Sequence, residues 1–249
     1  MMHDPEVGYD CSEGPLRAEG VDGKPSLTGD VALINAIGEH IKQHVGPYRI
    51  VIDEIRSRYV HIDVHVVEPA PERNYFTLIT SGMAEQPMNV PEGSEDHRFS
   101  ELVLHLPPDW PIRGPDWKLP QNWWPFGLLQ DSARFPHEFD TWLSGGHTRR
   151  YGDGEPLVDY ARFTAFLLLN PPLLPEAFHT LRMDDGRDVH FYNLILLYPE
   201  ELERYFEDRY AFKTPDADFS DEILNGEYAL GPEELAIASP DRPSLFPSP

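Results

Sequence analysis

The clearest signal in the chain is a change in the period of its apolar residues. Between Asp30 and Val45, Ile34, Ile37, Ile41 and Val45 recur every three or four positions, which predicts a helix with one buried stripe. Asp30 is the expected cap, and Gly46 followed by Pro47 is the expected stop. The period then drops to two. Tyr48–Ile55 is rich in β-formers, and Tyr59–Val67 alternates, with Val60, Ile62, Val64 and Val66 on one side and His61, Asp63 and His65 on the other. Tyr75–Thr80 and Phe99–Leu106 supply two more strands, joined by the polar run Ala84–His97. The pattern predicts an antiparallel meander with one covered face.

Pro107–Pro125 carries Trp110, Trp117, Trp123 and Trp124 among prolines and is expected to pack as an irregular loop. Pro125–Leu143 reads as a helix with Phe126, Leu129, Ala133, Phe139 and Trp142 facing inward, and Pro136 is expected to kink or split it. Phe163–Leu169 and Val189–Leu197 have strand length, the second preceded by the turn Asp184-Asp-Gly-Arg187. Pro199 opens a last helix, with Glu200 and Glu201 in its first turn and Leu202, Tyr205 and Phe206 inward. Residues 1–29 and 213–249 show no sustained periodicity. The expected organisation is therefore a flexible leader (1–29), one α+β domain (30–212) and an acidic, Pro-rich, mostly disordered tail (213–249), with a short helix around Asp221–Leu230.

Composition narrows the function classes. Of 249 residues, 43 are Asp or Glu and 20 are Lys or Arg, giving a net charge of −23. A field of that sign repels nucleic-acid phosphates and anionic membranes and attracts basic partners. The single cysteine, Cys11, allows no internal disulfide and no multi-cysteine zinc site. Neither a membrane span nor a secretory signal is legible, so the cytoplasm is the expected compartment.

Candidate chemistry is sparse. His61, Asp63 and His65 share one side of a strand and bear ligand types that suit zinc, iron or manganese, which raises a metal-dependent hydrolase as the alternative reading. Same-side neighbours lie about 7 Å apart along a strand, so an outward polar face explains them more simply. His40 and His44 have helical spacing without the glutamate of a zinc-protease motif, and half-exposed surface positions are expected for them. Ser144-Gly-Gly-His147 places a hydroxyl near an imidazole without a third, orienting group. Thr80-Ser81-Gly82 lacks a nucleophile elbow and reads as a turn. The residues thus point to a chain that is not an enzyme and holds no cofactor.

An ordered set of short motifs adds a resemblance. Asp63, Leu78-Ile-Thr-Ser-Gly-Met83, Glu101-Leu-Val-Leu104, Trp110, Trp124-Pro-Phe126 and Trp142-x-Ser-Gly-x-His147 are followed by Leu167-Leu-Leu-Asn-Pro171 and Val189-x-Phe-x-x-Leu-Ile-Leu-Leu-Tyr-Pro-Glu-Glu-Leu202. Over about 48–210 this series resembles the suppressor of fused-like domains. The resemblance implies a mixed, largely antiparallel sheet flanked by α-helices, and protein binding without enzymatic activity. In the animal relative an extended segment of a transcription factor is held between this lobe and a second one by strand pairing. The present chain is similar to the bacterial single-domain members, for which a role as immunity proteins against toxins has been proposed. The expected partner is therefore another protein, such as a basic toxin. Alignment with the animal contact surface singles out Trp142, Gly146, His147 and Asn170 as partner-binding. Two departures lie there: the animal protein has an aspartate in place of Gly146, and Glu-Asp-Pro in place of Leu169-Asn170-Pro171. The same peptide is not the expected ligand.

Overall fold

In a computed structural model of the protein, residues 29–53, 59–152, 154–158, 161–211 and 230–246 are described. The first helix, α1 (Val31–His44), begins where Asp30 Oδ1 accepts the backbone N–H groups of Ala32 and Leu33, at 2.9 and 3.2 Å. It ends where the N–H groups of Val45 and Gly46 both return to the Ile41 carbonyl. Four strands follow as the expected meander: β1 (Tyr48–Ile52), β2 (Asp63–Val67), β3 (Phe76–Ser81) and β4 (Ser100–Leu106), each antiparallel to the next. Next come α2 (Pro120–Glu138), β5 (Thr148–Arg150), β6 (Ala165–Leu169), β7 (Thr180–Arg182), β8 (Asp188–Leu197), α3 (Pro199–Ala211) and α4 (Pro232–Ala236).

The eight strands form one mixed sheet in the order β1-β2-β3-β4-β8-β6-β5. The junction of β4 with β8 is parallel, with Ser100 opposite His190 and Val103 opposite Asn193. β8 is long enough to take two partners on its other edge, β7 along Asp188–His190 and β6 along Asn193–Leu197. This leaves β1 and β5 at the two ends of the sheet.

Both faces of the sheet are covered, where the sequence predicted one. On the first face Val64, Val66, Leu78, Leu102, Leu104, Phe166, Leu168, Leu194 and Leu196 pack against Phe126, Leu129 and Ala133 of α2. The intervening residues of the same strands supply the second face. There Val67, Ile79, Val103 and Phe191 meet Leu33, Ile37 and Ile41 of α1. Ala165, Leu167, Ile195 and Leu197 meet Leu202 and Tyr205 of α3, together with Leu230, Leu235 and Leu245. Alternation reports that a strand has two chemically different faces; it does not report which of them meets water. The polar side of β2 is buried for that reason.

Four further expectations are corrected. The tryptophan-rich stretch is not irregular throughout: α2 starts at Pro120, in whose first turn the missing N–H removes no bond, and so contains Trp123 and Trp124. Helix continues through Pro136 to Glu138, and both internal prolines are buried in the core. Phe139, beyond the helix end, is 61% exposed rather than inward. Finally, residues 230–246, which the sequence assigns to a mostly disordered tail, pack on the sheet, and Ala238 donates to the His105 carbonyl of β4. Their apolar residues are too sparse for a self-contained element, but they complete a face built elsewhere. The leader 1–28 and the helix expected over Asp221–Leu230, apart from Leu230, lie outside the described residues. No described helix is long and apolar enough to cross a membrane.

Candidate functional site

The turn after β3 is organised from beneath by a carboxylate. Glu101 of β4 is fully buried and accepts from Thr80 Oγ1 (2.6 Å) and from the backbone N–H groups of Gly82 (2.8 Å) and Ala84 (3.0 Å). Burial pushes its carboxyl up to about 7, against the lowering effect of those donors. Gly82 has φ +118, and a Cβ there would lie 1.8 Å from the His61 carbonyl oxygen. The Thr-Ser-Gly-Met run and the Glu-Leu-Val-Leu run are therefore two halves of one internal brace. Its polar groups are engaged with one another in the interior.

The three residues of the metal reading do not converge on one point, because His65 is engaged apart from a His61–Asp63 pair. His61 Nε2 lies 2.9 Å from Asp63 Oδ1, while His65 Nε2 pairs with Ser81 Oγ at 2.9 Å, under the edge of the Tyr48 ring. Among the described residues no group of three or more His, Cys, Asp or Glu is placed to hold an ion. His40 is likewise not a half-exposed surface residue: it is buried, bonds the Phe178 carbonyl through Nε2 at 3.0 Å and stacks on Phe178 and Phe191.

These buried imidazoles make stability depend on pH. Burial lowers His65 to about 4 and His105 to about 3 from the ordinary 6.5. Below pH 6.5 the unfolded chain gains protons there that the fold refuses, so stability is lost as pH falls toward 4, by at most about 1.4 kcal/mol per pH unit for each histidine. Glu101 acts oppositely. Its raised pKa contributes stability that is fully present below 4.5 and lost as pH rises through about 7. Two imidazoles outweigh one carboxyl, so the urea midpoint is expected to fall between pH 6.5 and 4.5, and His105→Phe is expected to flatten that fall.

A different region of the sheet is open. The turn Ser144–His147 leads into β5, with Gly146 at φ +78. Gly146 donates to the Leu168 carbonyl at 2.7 Å, and its own carbonyl accepts from Tyr205 Oη at 2.8 Å. Ser144 meets His147 through the backbone, its carbonyl accepting the His147 N–H at 3.1 Å. Its hydroxyl lies 3.3 Å from both His97 Nδ1 and Tyr192 Oη, buried beneath the turn. His147 instead meets the Trp142 ring edge-on, with centroids 4.3 Å apart.

Above this turn lies a groove of about 360 Å³, lined by Phe135, Trp142, Gly146, His147, Thr148, Arg149, Tyr205 and Phe206, with Thr141 and Leu143. Three of the four residues singled out in the sequence, Trp142, Gly146 and His147, share that lining. Asn170 does not; it is exposed just past β6, two residues beyond the Leu168 that holds Gly146. Phe135 and Arg149 carried no sequence signal for this place, and Tyr205 and Phe206 were legible only as the inner face of α3.

Along the groove runs the edge strand. The His147 carbonyl and the Tyr151 N–H bond to β6. By the alternation of an antiparallel ladder, the N–H and C=O groups of Thr148 and Arg150 point away from it. No described strand pairs with β5 on that outer side. The arrangement offers backbone hydrogen bonding beside an aromatic trough, which is binding geometry.

Comparison with known proteins agrees with this architecture. The chain is similar in structure to a suppressor of fused homologue from Neisseria gonorrhoeae FA 1090, with a TM-score of 0.51 and 15% identity over 88% of this chain and 97% of that one. It is similar to a chain of the Sufu–Fu complex, with a TM-score of 0.53 and 15% identity over 86% and 92% of the two chains. Drosophila Suppressor of Fused gives a TM-score of 0.52 and 16% identity over 86% of this chain, which spans 50% of the Drosophila chain. Identities this low speak to fold alone. No curated protein matches the chain. The sequence profile of the Suppressor of fused protein family, however, matches residues 58–208, a span that takes in β2 and reaches into α3. With that match over more than half of its length, the chain belongs to the suppressor of fused family.

Proposed function

We propose that the protein is a non-enzymatic protein-binding module, working in the cytoplasm, that takes an extended segment of another protein along the outer edge of β5. The observation that carries this reading is the coincidence of a strand edge that no described strand pairs with and the aromatic groove of Phe135, Trp142, Tyr205 and Phe206. Strand addition at such an edge draws affinity from main-chain hydrogen bonds and selectivity from flanking pockets. The resolved complex of a structural neighbour, named as Sufu–Fu, supports protein binding as the use of this fold. An immunity role fits the same surface chemistry: a net charge of −23 favours encounter with a basic toxin, with an association rate that falls as salt rises.

The test is direct. A tagged chain recovered from its native host is expected to bring down a protein partner. Replacing His147 and Asn170 together by alanine should weaken that partner's binding at least tenfold with an unchanged thermal midpoint. Equal affinity for the double variant would place the contact on another face.

A further inference from the structure

The groove is electrically out of character with the rest of the molecule. Acidic residues outnumber basic ones 43 to 20 over the chain. Yet among the described residues none that lines the groove carries a carboxylate, and the lining includes Arg149 and His147. The Arg149 guanidinium is held in place by two rings, Phe135 at 4.1 Å and Tyr151 at 4.5 Å, and Nη1 donates to Tyr151 Oη at 3.2 Å. Stacking of this kind fixes a guanidinium without consuming its in-plane donors, and Tyr151 takes one of five. The next residue of the edge strand, Arg150, is exposed.

Successive residues of a strand point to opposite faces, so a segment laid along β5 meets Arg149 on one face and Arg150 on the other. Two neighbouring carboxylates on that segment would answer both, as opposite charges do across paired strands. Between them and the groove floor, the half-buried Trp142 ring offers area to an apolar or aromatic anchor. We infer that the segment held at this edge is acidic, with adjacent Asp or Glu residues next to a bulky apolar side chain. The inference rests on the binding reading given above and adds the chemistry of the ligand. The negative field of the whole molecule acts on the body of a partner from a distance. The two arginines act on the docked segment within the screening length of about 8–10 Å.

A random octapeptide library displayed on phage and selected against the immobilised full chain tests this. A −23 surface enriches basic peptides by default, so enrichment of acidic ones has to come from a local site. The expected result is a selected set rich in adjacent Asp/Glu with a Phe, Trp, Leu or Ile neighbour. A synthetic peptide from that set should bind at least tenfold more weakly to Arg149→Gln and to Arg150→Glu, each checked for an unchanged thermal midpoint. Peptides that are neutral or basic but lose binding in Trp142→Ala would overturn the acidic chemistry and leave the groove standing. Acidic peptides insensitive to both arginine substitutions would overturn it as well. An empty selection, or peptides indifferent to Trp142→Ala, would sink the groove reading together with the inference.

Discussion

Arg242→Ala is expected to lower stability by about 3–5 kcal/mol, read as a shift of the urea midpoint. Arg242 is 6% exposed and grips Glu201 with both ends of its guanidinium, at 2.9 and 2.7 Å, while a further bond runs to the Leu196 carbonyl at 3.1 Å. Its plane lies over the Phe163 and Tyr198 rings. Glu201 in turn accepts from the backbone N–H groups of Tyr198 and Leu245, closing the first turn of α3 and the C-terminal segment on the same carboxylate. Removing the arginine strands a buried anion and releases the cover over Ala165, Leu167 and Ile195. Limited proteolysis is therefore expected to cut within 230–246 in the variant and not in the parent. A Glu201→Leu, Arg242→Leu double variant should recover part of the loss, since no charge is then left uncompensated. It cannot recover all of it, because Tyr198 and Leu245 lose their acceptor.

Gly82→Ala is expected to have the second large effect, a loss of about 3 kcal/mol or more, to be read by thermal and urea unfolding. The substitution meets two penalties at once. A backbone at φ +118 is one that side chains with a Cβ avoid, and the added carbon would lie 1.8 Å from the His61 carbonyl oxygen. Relief requires the turn to move, and the turn is tied through the Gly82 and Ala84 N–H groups to Glu101. Ala84→Gly, on the same turn, removes a small buried side chain without that collision and should cost far less. A Gly82→Ala variant as stable as the parent would mean that the brace under β3 does not constrain the fold.

How much of this was legible in the chain follows from what each element spends on itself. The helix α1 could be read because its own residues carry both the stripe and the cap. The meander could be read because four runs alternate or are β-rich. The strands β5 (Thr148–Arg150) and β7 (Thr180–Arg182) could not, since three residues of which at least two are charged or polar have no period to detect. Nor could the parallel seam of β4 with β8, which joins distant stretches and leaves no local mark. The neutrality of His65 comes from burial, and its partner Ser81 is one that only the fold delivers. The same holds for the groove. Trp142, Gly146 and His147 came from one motif, but Phe135 arrives on α2 and Tyr205 and Phe206 on α3, so the trough exists only once three elements meet.

The parallel seam has a consequence for how the molecule is made. β4 finds its neighbour only when β8 has been synthesised, and until then the meander presents an unsatisfied inner edge on a strand whose every residue is buried in the finished fold. Contacts so remote along the chain close slowly, and an emerging polypeptide with such an edge is exposed to wrong pairing. Ribosome-bound nascent chains ending before Asp188 should therefore depend on chaperones, whereas those extended past α3 should acquire protease resistance in a single late step.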